Sequence, residues 1–169
     1  SFAVRHLHCS AGIVISASHN TKEYNGIKCY GPDGGQMTEI PAAKVSAAIE
    51  TIDLFEPEHL RFEEALEKGL VTYIPDSVWQ DYYARISREA IYPENVKKAA
   101  LRVVYSPLCG AGGEPVSEML TRLGAELHIP ESQRLPSGEF ASCPTPNPET
   151  DSAFDENYKL AAQCRPDII

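Results

Sequence analysis

Few architectures accommodate the stretch from Leu101 to His128. A short β-branched run, Leu101-Arg102-Val103-Val104-Tyr105-Ser106, is followed by glycines at 110, 112 and 113, then by a segment of helical period and a second apolar run. Strand 101–106, Gly-rich turn 109–113, helix 114–123 and strand 125–129 is the order of a βαβ unit. Strands joined through a crossover helix pair in parallel, so this half of the chain reads as α/β.

The first half has the same mixed character. A buried strand is expected over 12–18 and a second over 26–31, joined by a polar turn at 19–25 and punctuated afterwards by Pro32-Asp33-Gly34-Gly35. Thr38 is placed to cap a helix over 39–53, with Val45, Ala48, Ile49 and Ile52 on one face. A helix over 58–68 stops at Gly69, the residue favoured just past a helix C-terminus. Another runs over 76–90, with Val78, Tyr82, Ile86 and Ala90 in register. At 92–98 the pattern breaks, which suggests a domain boundary. After the βαβ unit, a Pro-rich loop (130–150) leads to a helix over 151–164. The chain opens on Ser1-Phe2-Ala3-Val4-Arg5-His6-Leu7, which reads as the last turns of a helix, and it ends on what reads as the start of a strand. Two incomplete α/β domains, cut from a longer protein, are therefore expected.

Bulk properties exclude some functions. A net charge of -9 with no Lys/Arg cluster argues against a general nucleic-acid surface, while leaving room for a small phosphorylated ligand. No apolar run approaches membrane-spanning length, and no signal peptide is evident. The five cysteines are scattered and never spaced C-x-x-C, as expected of reduced thiols in a cytoplasmic protein.

The segment Gly12-Ile13-Val14-Ile15-Ser16-Ala17-Ser18-His19-Asn20, with Glu23-Tyr24-Asn25-Gly26-Ile27-Lys28 after it, carries the densest chemistry. It delivers a hydroxyl to a strand end and returns through Asn-Gly to a lysine on the next strand. A hydroxyl with a polar side chain and a cation nearby suits phosphoryl chemistry. A plain hairpin would need only Asn25-Gly26. A serine hydrolase is set aside. Neighbours in an extended segment point to opposite faces, which places His19 poorly for taking a proton from Ser18, and no G-x-S-x-G elbow exists. The Gly110–Gly113 turn raises a rival of another class, a non-catalytic nucleotide-binding module, but glycines making a tight strand-to-helix turn explain it more simply. His6, His8 and Cys9 read as packing and surface residues rather than a metal site.

Ile15-Ser16-Ala17-Ser18-His19-Asn20 with Asn25-Gly26-Ile27-Lys28 resembles the phosphoserine signature of the α-D-phosphohexomutases. Val103-Val104-Tyr105-Ser106-Pro107-Leu108-Cys109-Gly110-Ala111-Gly112 resembles the opening of that family's second domain. Pro144-Thr145-Pro146-Asn147-Pro148-Glu149 resembles the segment before its metal-binding region. The first motif also suits phosphoglucosamine mutases, whereas the later two look like bacterial α-phosphoglucomutases and phosphopentomutases. Phosphomannomutase remains a further alternative.

The resemblance implies two incomplete three-layer α/β domains with mixed sheets. Residues 1–95 would be the later part of a first domain and 96–169 most of a second. It implies a phosphoglucomutase interconverting glucose 1-phosphate and glucose 6-phosphate through phosphorylated Ser18 and a bisphosphorylated sugar. Lys28 would be the cation and His19 the orienting group, with Asn20, Asn25 and Gly26 supporting the loop. Mg²⁺ would be the cofactor, touched in this chain only through the phosphate on Ser18. Thr21 stands where the family usually has proline, and the Asp-rich Mg²⁺ loop would lie beyond Ile169. On that expectation the chain alone is inactive.

Overall fold

The computed structural model describes residues 1–53, 55 and 59–169. They form a mixed α/β fold with small sheets, divided into two compact units: Ser1–Val14 with Ile27–Tyr82, and Ile15–Gly26 with Tyr83–Ile169. Among the described residues no helix is long and apolar enough to cross a membrane.

In the first unit, helix α1 (Phe2–His6) matches the helical reading of the opening residues. Strand β1 (Gly12–Ile15) pairs with β2 (Ile27–Tyr30) in a two-stranded sheet. The strand expected to be buried over 12–18 is shorter and open to solvent, with Ile13 66% and Ile15 62% exposed. Two strands alone give it little cover, and the chain leaves extended geometry where Ser18 turns to a φ of 62°. The glycine-rich turn forms as expected. Gly31 N–H donates to the Gly35 carbonyl at 2.9 Å, and Asp33 Oδ1 accepts from Gly35 N–H at 3.0 Å.

Helix α2 (Glu39–Ile49) begins where expected, but the Thr38 side chain makes no capping hydrogen bond. It ends at 49 rather than 53, because local side-chain bonds take over there. The Thr51 hydroxyl donates to the Ala48 carbonyl at 2.7 Å, and Asp53 Oδ1 accepts from Phe55 N–H at 2.9 Å. Helix α3 (Phe62–Glu67) is shorter than the expected 58–68; residue 58 lies outside the described residues, and 59–61 are not helical. Gly69 ends it in the left-handed region (φ 67°), with Leu70 N–H donating to the Ala65 carbonyl at 2.9 Å. Helix α4 (Asp76–Ser87) buries Val78, and its Asp81 pairs with His6 at 3.3 Å.

In the second unit the expected break at 92–98 is instead helix α5 (Pro93–Ala99). Pro93 sits in its first turn, where a missing N–H costs nothing, so proline starts this element rather than breaking it. Strand β3 (Arg102–Val104), helix α6 (Gly113–Arg122) and strand β4 (Glu126–His128) form the expected βαβ unit, with parallel pairing that sets Val103 opposite Leu127. Helix α7 (Asp155–Cys164) follows a 3₁₀ turn at Asp151–Phe154. The residues after it return to β3, where Ile168 bridges Val103 in parallel and Arg102 N–H donates to Asp167 Oδ2 at 2.8 Å.

Loop 130–150 is not structureless. It holds a 3₁₀ turn (Glu131–Gln133), and the fully buried Gln133 ties it to the end of β3. Gln133 Nε2 donates to the Ser142 carbonyl at 3.2 Å, while its Oε1 accepts from the Ser106 hydroxyl. Beneath the loop, Cys109, Cys143 and Ala153 form a buried cluster against Leu108, Phe140 and Phe154. Burial pushes the Cys143 thiol above its usual range, and the neighbouring Cys109 adds to this.

Candidate active site

Ser18 lies on an exposed loop held by its own short-range hydrogen bonds. Ser16 N–H donates to the Gly26 carbonyl at 2.9 Å, closing the loop at its base. Gly26 has to be glycine there, since a Cβ would stand 2.9 Å from the Ser16 carbonyl oxygen. The glycine of the Asn-Gly pair is thus needed for a close approach. Gly26 is not among the glycines with positive φ that a type I′ hairpin would require. Asn25 Oδ1 accepts from Gly26 N–H at 2.9 Å, so both residues support the loop. Farther along, Asn20 N–H donates to the Ala17 carbonyl at 3.2 Å and Tyr24 N–H to the Thr21 carbonyl at 3.1 Å.

The serine itself has left-handed backbone geometry, with a φ of 62°. That conformation is costly for a residue with a Cβ. Here Ser16 Oγ offsets the cost by accepting from Ser18 N–H at 3.0 Å. The turn also overturns one expectation. Ser18 Oγ stands 3.3 Å from His19 Nδ1, within hydrogen-bond range, because the left-handed residue destroys the strand alternation that would separate the two side chains.

Lys28 is half-buried on β2, in the first unit, on the wall of a groove of about 200 Å³ that it shares with Cys29, Met37, Val45 and Ile49. Thr21 stands beside Glu23. Its hydroxyl hydrogen-bonds to Glu23 and, with a smaller backbone contribution, holds that carboxyl below the usual range.

Two residues of this loop region escaped sequence reasoning. Ser16 had a legible signal, a hydroxyl two residues before the turn it supports. Lys22 had none. Its Nζ meets Glu139 Oε2 at 2.6 Å across 117 positions, and that hydrogen bond lifts the lysine above its usual range.

The glycine-rich turn at 110–113 is engaged in holding itself together. The Tyr105 hydroxyl donates to the Gly112 carbonyl at 3.1 Å, the Ser117 hydroxyl donates to the Gly113 carbonyl, and Gly110 N–H donates to the Pro107 carbonyl at 2.9 Å. These bonds are what a strand-to-helix connection requires. Among the described residues, no group of three or more His, Cys, Asp or Glu side chains is arranged to hold a metal ion.

Residues 1–56 match the model of the phosphoglucomutase/phosphomannomutase alpha/beta/alpha domain I, and residues 80–169 match domain II of the same family. Over 173 aligned residues the chain is 36% identical to a phosphoglucomutase of Staphylococcus aureus (strain USA300), covering all of this chain and 30% of that protein. It is 33% identical over 172 residues to a phosphoglucomutase of Staphylococcus epidermidis (strain ATCC 12228 / FDA PCI 1200), covering 31% of it. A crystal structure from Thermus thermophilus, provisionally named a phosphomannomutase, superposes with a TM-score of 0.65 at 22% identity. That likeness of fold covers 94% of this chain and 33% of that one. The chain therefore spans about 30% of the length of these curated relatives. With both family domains matched in order along it, the chain belongs to the phosphoglucomutase/phosphomannomutase family.

Proposed function

We propose that the protein carrying this chain is a phosphoglucomutase in which Ser18 stores the migrating phosphoryl group. The observation that carries the reading is an exposed Ser18, held at a φ of 62° with its Oγ 3.3 Å from an imidazole nitrogen, inside a family-specific motif. In the forward direction the C6 hydroxyl of glucose 1-phosphate attacks the phosphorus on Ser18. A bond forms from phosphorus to the sugar O6, the C6 hydroxyl proton passes to water, and the bond to Ser18 Oγ breaks. The departing Oγ needs a proton, and His19 Nδ1 is the group beside it. After the bisphosphate turns over, Ser18 Oγ attacks the phosphorus at O1 as His19 takes back the proton; the bond from that phosphorus to O1 breaks, O1 takes a proton from water, and glucose 6-phosphate leaves. Lys28 supplies a fixed positive charge for the transferring oxygens, an assignment supported by the motif.

Mg²⁺ is the proposed cofactor of the whole protein, because a hard dication suits phosphoryl oxygens. The side chains described here do not make a site for it, since Mg²⁺ needs near-octahedral oxygen ligation and no acidic cluster is present among the described residues. The proton and phosphoryl steps above therefore rest on Ser18, His19 and Lys28.

The test is turnover of glucose 1-phosphate by the full-length protein. Ser18→Ala should abolish it, and His19→Ala should lower kcat by about 10²–10⁴-fold. Undiminished turnover by the Ser18 variant would overturn the reading. A panel with mannose, glucosamine and pentose 1-phosphates separates phosphoglucomutase from the phosphomannomutase, phosphoglucosamine mutase and phosphopentomutase alternatives.

A further inference from the structure

The Ser18 loop belongs to the second compact unit, although it lies between β1 and β2 in the sequence. One ion pair joins this early loop to a segment late in the chain. Lys22 Nζ, four residues after Ser18, donates to Glu139 Oε2 at 2.6 Å. The two ends differ in how firmly they are held. Phe140, next to the acceptor, packs on the buried Cys109–Cys143–Ala153 cluster. Its N–H donates to the Ser137 carbonyl at 3.3 Å, and its carbonyl accepts from Cys143 N–H at 3.0 Å. Ser137 N–H in turn donates to the Cys109 carbonyl at 3.2 Å. Glu139 is therefore presented by a braced turn, whereas the hydrogen bonds described for the Ser18 loop are, apart from this pair, local ones. An exposed ion pair contributes little when both side chains must be immobilised, and more when one partner is already in place.

We propose that Glu139 is a positioning residue for the Ser18 loop, acting through Lys22 as an electrostatic latch. Its importance for phosphoryl transfer rests on the reading of Ser18 given above. The latch itself does not. Three amides report its state directly: Ser18 N–H on Ser16 Oγ, Asn20 N–H on the Ala17 carbonyl, and Tyr24 N–H on the Thr21 carbonyl. Opening the latch loosens the loop and exposes these amides to water.

The experiment measures amide hydrogen exchange of residues 18, 20 and 24 by NMR in the full-length protein. The variants are Lys22→Gln, Glu139→Gln and the charge-reversed pair Lys22→Glu/Glu139→Lys. Each single variant should speed exchange about twofold to fivefold, the range of an exposed ion pair, with no change in thermal midpoint. The reversed pair should return exchange to the wild-type rate, and about 1 M salt should bring the wild type to the single variants' rate by screening. Exchange unaltered in the single variants, or faster still in the reversed pair, overturns the latch. In the same samples, the half-life of the phosphoryl group on Ser18 is followed by intact mass. A wild type that never carries that group overturns the nucleophile reading and with it the positioning role, while the exchange data still decide whether the loop is latched.

Discussion

Ser18 shows how much can turn on one backbone angle. Its φ of 62° takes the chain out of the strand and swings its hydroxyl to within 3.3 Å of His19 Nδ1, where extended geometry would have separated them. The sequence marked the serine, because a β-branched run ending in Ser-His-Asn is a local signal. It did not mark the sign of φ, which is settled by the Ser16 Oγ bond outweighing the steric penalty. Thr21 allows a sharper test at this scale. Its hydrogen bond keeps the Glu23 carboxyl below the ordinary value of 4.5, favouring the ionised form in the folded loop. That contribution is present above pH 4.5 and is lost as pH falls through the lowered folded value. In Thr21→Val, the Glu23 titration followed by NMR should move up towards 4.5. A titration unchanged from wild type would mean that the threonine does not hold the carboxylate.

The elements divide by how local their signals are. The βαβ unit over β3, α6 and β4 was legible, because β-branched runs, glycines and a helical period follow one another within a few dozen positions. Gly69 was legible as a stop for the same reason, and its φ of 67° makes it testable. No atom lies within 4 Å of where its Cβ would go, so Gly69→Ala meets only the backbone penalty of a left-handed residue. The variant should lose about 1 kcal/mol in chemical denaturation, and Gly69→Asn less. Helix α5 was misread because proline punctuates either side of an element. At Pro93 it opens the helix, a choice that Tyr-Pro-Glu-Asn alone does not reveal. Strand β1 was misread in its burial, since an apolar run reports a preference for cover and not whether cover is present.

Over the whole molecule, contacts distant in sequence organise the second unit. Gln133 is fully buried and joins the end of β3, through Ser106, to the later part of loop 130–150, through the Ser142 carbonyl. Gln133→Leu keeps the volume and strands those polar partners. It should cost about 1–3 kcal/mol in urea denaturation, and a loss below a few tenths would show that water replaces the amide. The amino-acid string was sufficient for the strand-helix-strand order of the βαβ unit, the display of a serine at a strand end, and membership of a sugar-phosphate mutase family. All of these reside in residue types a few positions apart, where propensity and motif act directly. Folding in three dimensions chose the hand of Ser18, the union of its loop with residues 83–169, and the meeting of Lys22 with Glu139. Those outcomes depend on which of several exposed charges and hydroxyls come within about 3 Å of one another, and a separation of 117 residues leaves no periodic trace of that in the chain.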